Sequence, residues 1–143
     1  MVGYGMNASE LERNSHLTNY FVKDLNVDPS LKEVDDESVD VVICNVSVDY
    51  LVKPLDVFWE MRRVLKVGGT AHMAFSNRYF PTKVIRKWMG GSDEDRRKWV
   101  GGYYWVSGGW KDVEEVILKE GSSGFIGMGG EDPLYVVRGT KEG

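Results

Sequence analysis

Few side chains in this sequence could carry acid–base or metal chemistry. Histidine, the usual proton carrier near neutral pH, occurs only at His16 and His72, and cysteine only at Cys44. Their spacing matches no metal-ligand set, so no bound metal is expected. His72 lies inside a strand-like run and reads as a face residue rather than a catalytic one. What remains is chemistry driven by alignment and exclusion of water, because transfer to an already nucleophilic atom needs positioning more than a proton carrier. The polar candidates follow apolar runs: Asp24 with Leu25, then Asn45, Ser47 and Tyr50. Asp24 also has the place of a turn former, and Ser47 or Asp49 that of a helix cap. Trp99, Tyr103, Tyr104, Trp105 and Trp110 form an aromatic cluster that reads either as core or as the wall of a pocket.

Those residues must be positioned by the elements around them. Met1 to Tyr4 reads as a strand, and Asn7 with Glu10 has capping-box spacing for a short helix from Ala8 to Arg13. Tyr20 to Lys23 is a second β-prone run, followed by a polar loop from Asn26 to Ser38. Val39 to Cys44 is almost continuously apolar and β-branched, which predicts a strand covered on both faces. Pro54 opens a helix to Lys66, with Gly68 and Gly69 expected to end it, and Thr70 to Ser76 is the next strand. Strand, helix, strand with short joints is the unit of a parallel sheet, so the fold class is α/β. Val84, Ile85, Trp88 and Met89 share a helical face, and Ser92 to Trp105 is a further helix weakened by Gly101 and Gly102. Val113 to Leu118 and Leu134 to Arg138 close the sheet as an antiparallel edge hairpin, with Gly121 to Gly130 as its tip or a lid. On the Pro54 helix, Trp59 and Leu55 point away from the apolar stripe, which suggests contact with another chain or with the C-terminal segment.

The 143 residues have the length of one domain, 1–143, and their 42% apolar and 28% charged content exclude a disordered chain. A formal charge of -4 disfavours nucleic acid as a partner, and the basic excess between Arg78 and Lys98 reads as a solvated face. No run is apolar enough for a membrane helix, and a single cysteine fits a cytoplasmic protein.

Five segments in order carry a resemblance: Val2-Gly3-Tyr4-Gly5-Met6-Asn7, Asp24-Leu25, Ser38-Val39-Asp40-Val41-Val42, Arg63-Val64-Leu65-Lys66-Val67-Gly68-Gly69 and Asp132-Pro133-Leu134-Tyr135-Val136-Val137. In that order the chain resembles the later part of a class I S-adenosylmethionine-dependent methyltransferase of the type 11 kind. The resemblance implies a Rossmann-like, mostly parallel sheet with an antiparallel edge strand, and S-adenosylmethionine across the carboxyl ends of its early strands. It implies that Asp24 accepts from the adenine amine while Leu25 offers its backbone amide; Met6 reads either as lying on the adenine face or as core filler beside the strand end. Asn45 would meet the cofactor, and Tyr50 and Trp105 the small-molecule acceptor. Gly5 occupies the place where relatives usually carry a ribose-binding acid. The likeness starts at the family's second strand, so the first strand, its glycine-rich turn and the next helix have no counterpart ahead of Met1. Without that strand, its two neighbours must pair directly or expose their edges. Two functions follow: methyl transfer to a small molecule, or a catalytically inactive methyltransferase-like interaction module, possible as a homodimer.

Overall fold

Val39 to Asn45 and Leu65 to Phe75 carry the β-branched and alternating apolar residues that favour extended backbone, and they pair in parallel. The computed structural model describes residues 1–122 and 130–143. The chain runs β1 (Val2–Gly5), α1 (Ala8–Glu12), β2 (Asn19–Val22), β3 (Val39–Asn45), a 3-10 turn (Val48–Tyr50) and α2 (Pro54–Val64). It continues through β4 (Leu65–Phe75), α3 (Arg86–Met89), α4 (Asp93–Ser107), β5 (Trp110–Lys119) and β6 (Leu134–Lys141). β1 and β2 form a parallel pair of their own, and the second sheet has the order β3-β4-β6-β5. Within that second sheet β6 alone runs against the others, so the mixed α/β class and the antiparallel hairpin are as expected. Of the stretch Gly121 to Gly130, expected as the tip of that hairpin or a lid, residues 123–129 lie outside the described residues.

One face of the sheet holds the core. Leu65, Ala71, Met73 and Phe75 of β4 and Tyr135 and Val137 of β6 meet Val57, Phe58, Met61 and Val64 of α2 and Val100 and Tyr104 of α4. Tyr104 ties the layers together: its hydroxyl donates to the carbonyls of Ala71 at 2.9 Å and Val137 at 3.2 Å, and its ring stands edge-on to Phe58 at 4.8 Å. Gly139 makes room for it, since a Cβ there would lie 2.9 Å from Tyr104 Cδ1. The aromatic cluster is therefore divided: Tyr104 and Trp110 are core, whereas Trp105 is exposed.

Three expectations are corrected. α2 stops at Val64 rather than Lys66, and the chain enters β4 at once. Gly68 and Gly69 lie within β4, where Gly68 takes a φ of 81° and the register with β3 shifts between Val39 and Val41. The glycines thus serve a bulge, which is their other common use. α4 extends to Ser107, where Gly108 with a φ of 67° ends it and donates its amide to the Tyr104 carbonyl, while a reciprocal capping box of Ser92 and Asp95 at the other end offsets the cost of its two glycines. The third correction concerns coverage of β3. Val41 is 51% and Ile43 65% exposed, because α2 and α4 both pack on the opposite face. The bare face continues across the register through Thr70, His72 and Ala74 to Val136 and Arg138. Among the described residues β1 pairs only with β2 and β3 only with β4, so one edge of each lacks a ladder partner.

Candidate functional site

The carboxyl ends of β1, β2 and β3 are joined by hydrogen bonds between segments far apart in sequence. Lys23 donates its backbone N–H to the Gly5 carbonyl at 2.8 Å, which sets the end of β1 beside the residue preceding Asp24. Asp24 forms a turn: its Oδ1 accepts from the Asn26 amide at 2.9 Å, and its carbonyl accepts from Val27 and Asp28. Asn26 then reaches across to the segment after β3. Its Nδ2 donates to the Tyr50 carbonyl at 3.0 Å and its Oδ1 accepts from the Val52 amide at 2.8 Å. Gly5, Asp24, Leu25 and the Tyr50 segment are thereby held together. Met6 is exposed beside Gly5.

A second network anchors the loop behind Asp24. The Lys23 ammonium donates to the Ser30 carbonyl at 2.6 Å and pairs with Asp28 at 3.0 Å and Glu33 at 3.4 Å. Hydrogen bonds from Ser30 and this ammonium hold the Asp28 carboxyl well below the usual carboxylate range. Tyr4 donates its hydroxyl to Glu33, and burial with that bond pushes the phenol up. Arg63 of α2 clamps the same loop through the carbonyls of Leu31 and Val34.

The end of β3 is strained. Val46 takes a φ of 50°, a rare conformation for a β-branched residue, and its amide bonds to the Ala74 carbonyl at 2.8 Å. Asn45 is exposed, and its carbonyl accepts from the Ser47 hydroxyl, which also lies 3.3 Å from Cys44 Sγ. Burial pushes the Cys44 thiol up. Beyond it stands Asp49, 3% exposed, with an Oδ2 that finds no hydrogen-bond partner among the described residues. Burial raises its pKa, opposed by the charge of Arg96. Arg96 is buried too. Its guanidinium donates to Asp93 at 2.7 Å and to the Trp88 carbonyl, and lies over the rings of Tyr79 and Trp88. The Tyr50 phenol is pushed up by burial and by the Asp49 charge.

The hydrogen bonds thus hold Gly5, Asp24, Leu25 and the Tyr50 segment together, with Met6 beside Gly5 and Asn45 at the end of β3, whereas Trp105 lies near the far end of α4. α4 begins at Asp93, which accepts from Asn77 and Tyr135, and ends at Ser107, whose carbonyl takes the Trp59 indole at 3.1 Å. Trp105, near that far end, is 71% exposed. Trp59 therefore meets the C-terminal end of α4. His72 lies on the bare face with Nε2 2.9 Å from Thr70 Oγ1, and partial burial with Arg138 lowers its pKa. Among the described residues no three His, Cys, Asp or Glu side chains stand together as a metal site. Asn26 and the buried Arg96 are the residues that sequence reasoning missed, and Asp49, read there as a cap, is buried. Arg96 had a signal, since it shares a helical stripe with Val100 and Tyr104.

Residues 3–73 match the family described as methyltransferase domain. The chain is similar in fold to a SAM-dependent methyltransferase from Archaeoglobus fulgidus, 12% identical with a TM-score of 0.65, covering 98% of this chain and 75% of that one. A SAM-dependent methyltransferase from Aquifex aeolicus is 15% identical with a TM-score of 0.62, over 98% and 68% of the two chains. A chain of the complex formed by the Haloferax volcanii Trm112 methyltransferase activator is 17% identical with a TM-score of 0.63, over 99% and 71%. At these identities the likeness is one of fold. A comparison with curated proteins gives no match.

Proposed function

We propose that the chain, whose residues 3–73 match the methyltransferase-domain family, transfers a methyl group from S-adenosylmethionine to a small-molecule acceptor at the carboxyl ends of β1, β2 and β3. The observation that carries this reading is the Asn26 bridge, which holds the Asp24 turn against the Tyr50 segment. Ligands of open α/β sheets gather at such strand ends.

The residues present fit the adenosine end of the cofactor. The Asp24 turn engages Oδ1, leaving Oδ2 for the exocyclic amine, and Leu25 follows with its amide. Met6 is free to lie against the adenine face. At Gly5 no side chain reaches the ribose, and a Cβ there would already meet Leu11 at 3.2 Å. The methionine end is different, because no residue of the described chain cradles it and the neighbouring edge of β3 is unpaired. When bound, the cofactor would supply an electrophilic methyl group on its sulfonium. The contribution of this chain is orientation: Asn45 is presented by the strained Val46 turn, and Tyr50 borders the acceptor. Trp105, exposed near the far end of α4, is left out of the proposed site.

A second reading, an interaction module that associates through β3, is favoured by the unpaired edge and by the exposure of Val41 and Ile43. No helix among the described residues is long and apolar enough to cross a membrane, and the single cysteine supports a cytoplasmic setting. The test is incubation with methyl-labelled S-adenosylmethionine and a panel of small amines, phenols and thiols. Labelled product that falls at least about tenfold in Asp24→Ala is expected, a loss of ~1.4 kcal/mol in transition-state binding. Absence of product with every acceptor, alongside dimers in light scattering, favours the interaction module.

A further inference from the structure

On the outer side of the helical layer, a groove of about 480 Å³ runs between α2 and α4. None of the residues that line it is among Gly5, Asp24, Leu25, Asn45 and Tyr50 of the strand-end site. Leu55, Trp99, Tyr103 and Val106 wall it, and three lysines, Lys53, Lys87 and Lys98, share the lining with one acid, Asp56. The Lys87 ammonium lies 4.6 Å from the centroid of the Trp99 ring, and Lys98 is braced by Glu94. Apolar walls with a net positive rim complement an apolar anion, and the volume is in the range of small-molecule sites.

Gly102 supplies a second, independent observation. It lies inside the 15-residue α4, where glycine is the poorest residue other than proline. A Cβ at this position would meet nothing within 4 Å, so packing does not require the glycine. Its effect is to leave the groove open in front of it. We propose that the groove binds a small apolar carboxylate, aryl or alkyl, with its body against Trp99, Tyr103 and Val106 beside Gly102 and its charge met by the lysine rim. Asp56 offsets one lysine and Glu94 pairs with Lys98, which leaves one uncompensated positive charge on the rim, suited to a monoanion. The proposal does not depend on methyl transfer, and its readout is separate from cofactor binding.

The probe is 2-naphthoate, with 2-naphthalenemethanol as its neutral isostere, titrated into the full chain by calorimetry and tryptophan fluorescence. The carboxylate should bind at least about tenfold more tightly than the alcohol, with an affinity that falls as salt is raised. Gly102→Leu should fill the groove, keep or raise the melting temperature, and weaken naphthoate at least about tenfold. The double variant Lys53→Gln with Lys87→Gln should bind both probes alike, a readout that stands even if the leucine variant folds poorly. The proposal is overturned by absence of binding at about 10 mM naphthoate. Equal affinity for the alcohol, or unchanged affinity in a folded Gly102→Leu protein, overturns it equally.

Discussion

Replacing Asn26 by alanine removes both hydrogen bonds that join the Asp24 turn to the segment after β3. Each is worth about 0.5–1.5 kcal/mol net of water, so the pair is worth about 1–3 kcal/mol. Val52 is exposed, so water replaces its partner readily and that bond belongs at the low end. The bond to the Tyr50 carbonyl is partly buried and belongs higher. A total of about 2 kcal/mol should lower the melting temperature by roughly 6–10 °C in a chain of this size. Two assays separate the staple from a general loss of stability: urea unfolding, and hydrogen exchange at the Val52 amide under native conditions. Exchange at Val52 should accelerate at least about fivefold through local opening, before the global transition contributes. Affinity for S-adenosylmethionine should fall in parallel, since the two sides of the site are then held only by packing. A variant that melts like the parent and leaves Val52 exchange unchanged would refute the claim that Asn26 assembles the site.

Tyr104→Phe deletes a buried hydroxyl shared by the Ala71 and Val137 carbonyls and should cost about 1–2 kcal/mol in urea unfolding; a loss under about 0.3 kcal/mol contradicts its role in tying the layers. Asp49 has a folded-state pKa raised by burial above its ordinary 3.8, so its burial is harmless below that pH and destabilises increasingly as the pH rises through the folded value. Asp49→Asn should therefore gain stability relative to the parent as the pH rises above the ordinary 3.8, and a stability difference independent of pH rejects this assignment. Ile43→Ser lies on the bare sheet face and should change unfolding stability by no more than about 0.5 kcal/mol while reducing light scattering at high concentration. A cost above about 2 kcal/mol would mean that the chain itself covers this face.

Much of the architecture was legible because local signals and tertiary packing agree. Pro54 opens α2, its apolar stripe faces the sheet, and Asn7 caps α1 by accepting from the Ser9 amide as its position suggested. Where they part, the reason is physical. Gly68 and Gly69 read as a helix stop, yet a positive φ serves a strand bulge equally well, and only the register with β3 distinguishes the two uses. The continuous apolar run Val39 to Cys44 implied two covered faces, because a sequence records what a strand can bury and not whether a neighbour is there to bury it. In the proposed site, the turn at Asp24 was legible from its place after a strand. Asn26 was not, since its partners lie 24 and 26 residues further on and an asparagine in a polar loop carries no sign of them. Asp49 read as a cap, and its burial follows from packing by α3 and α4, elements far along the chain.

The central claim, that this chain grips the cofactor by its adenosine end, is tested most directly by calorimetric titration of the full chain with S-adenosylmethionine and, separately, with adenosine. The account predicts affinities within about threefold of each other, both lost in Asp24→Ala. Failure of either ligand to bind at millimolar concentration would contradict it, and so would S-adenosylmethionine binding more than about a hundredfold tighter than adenosine.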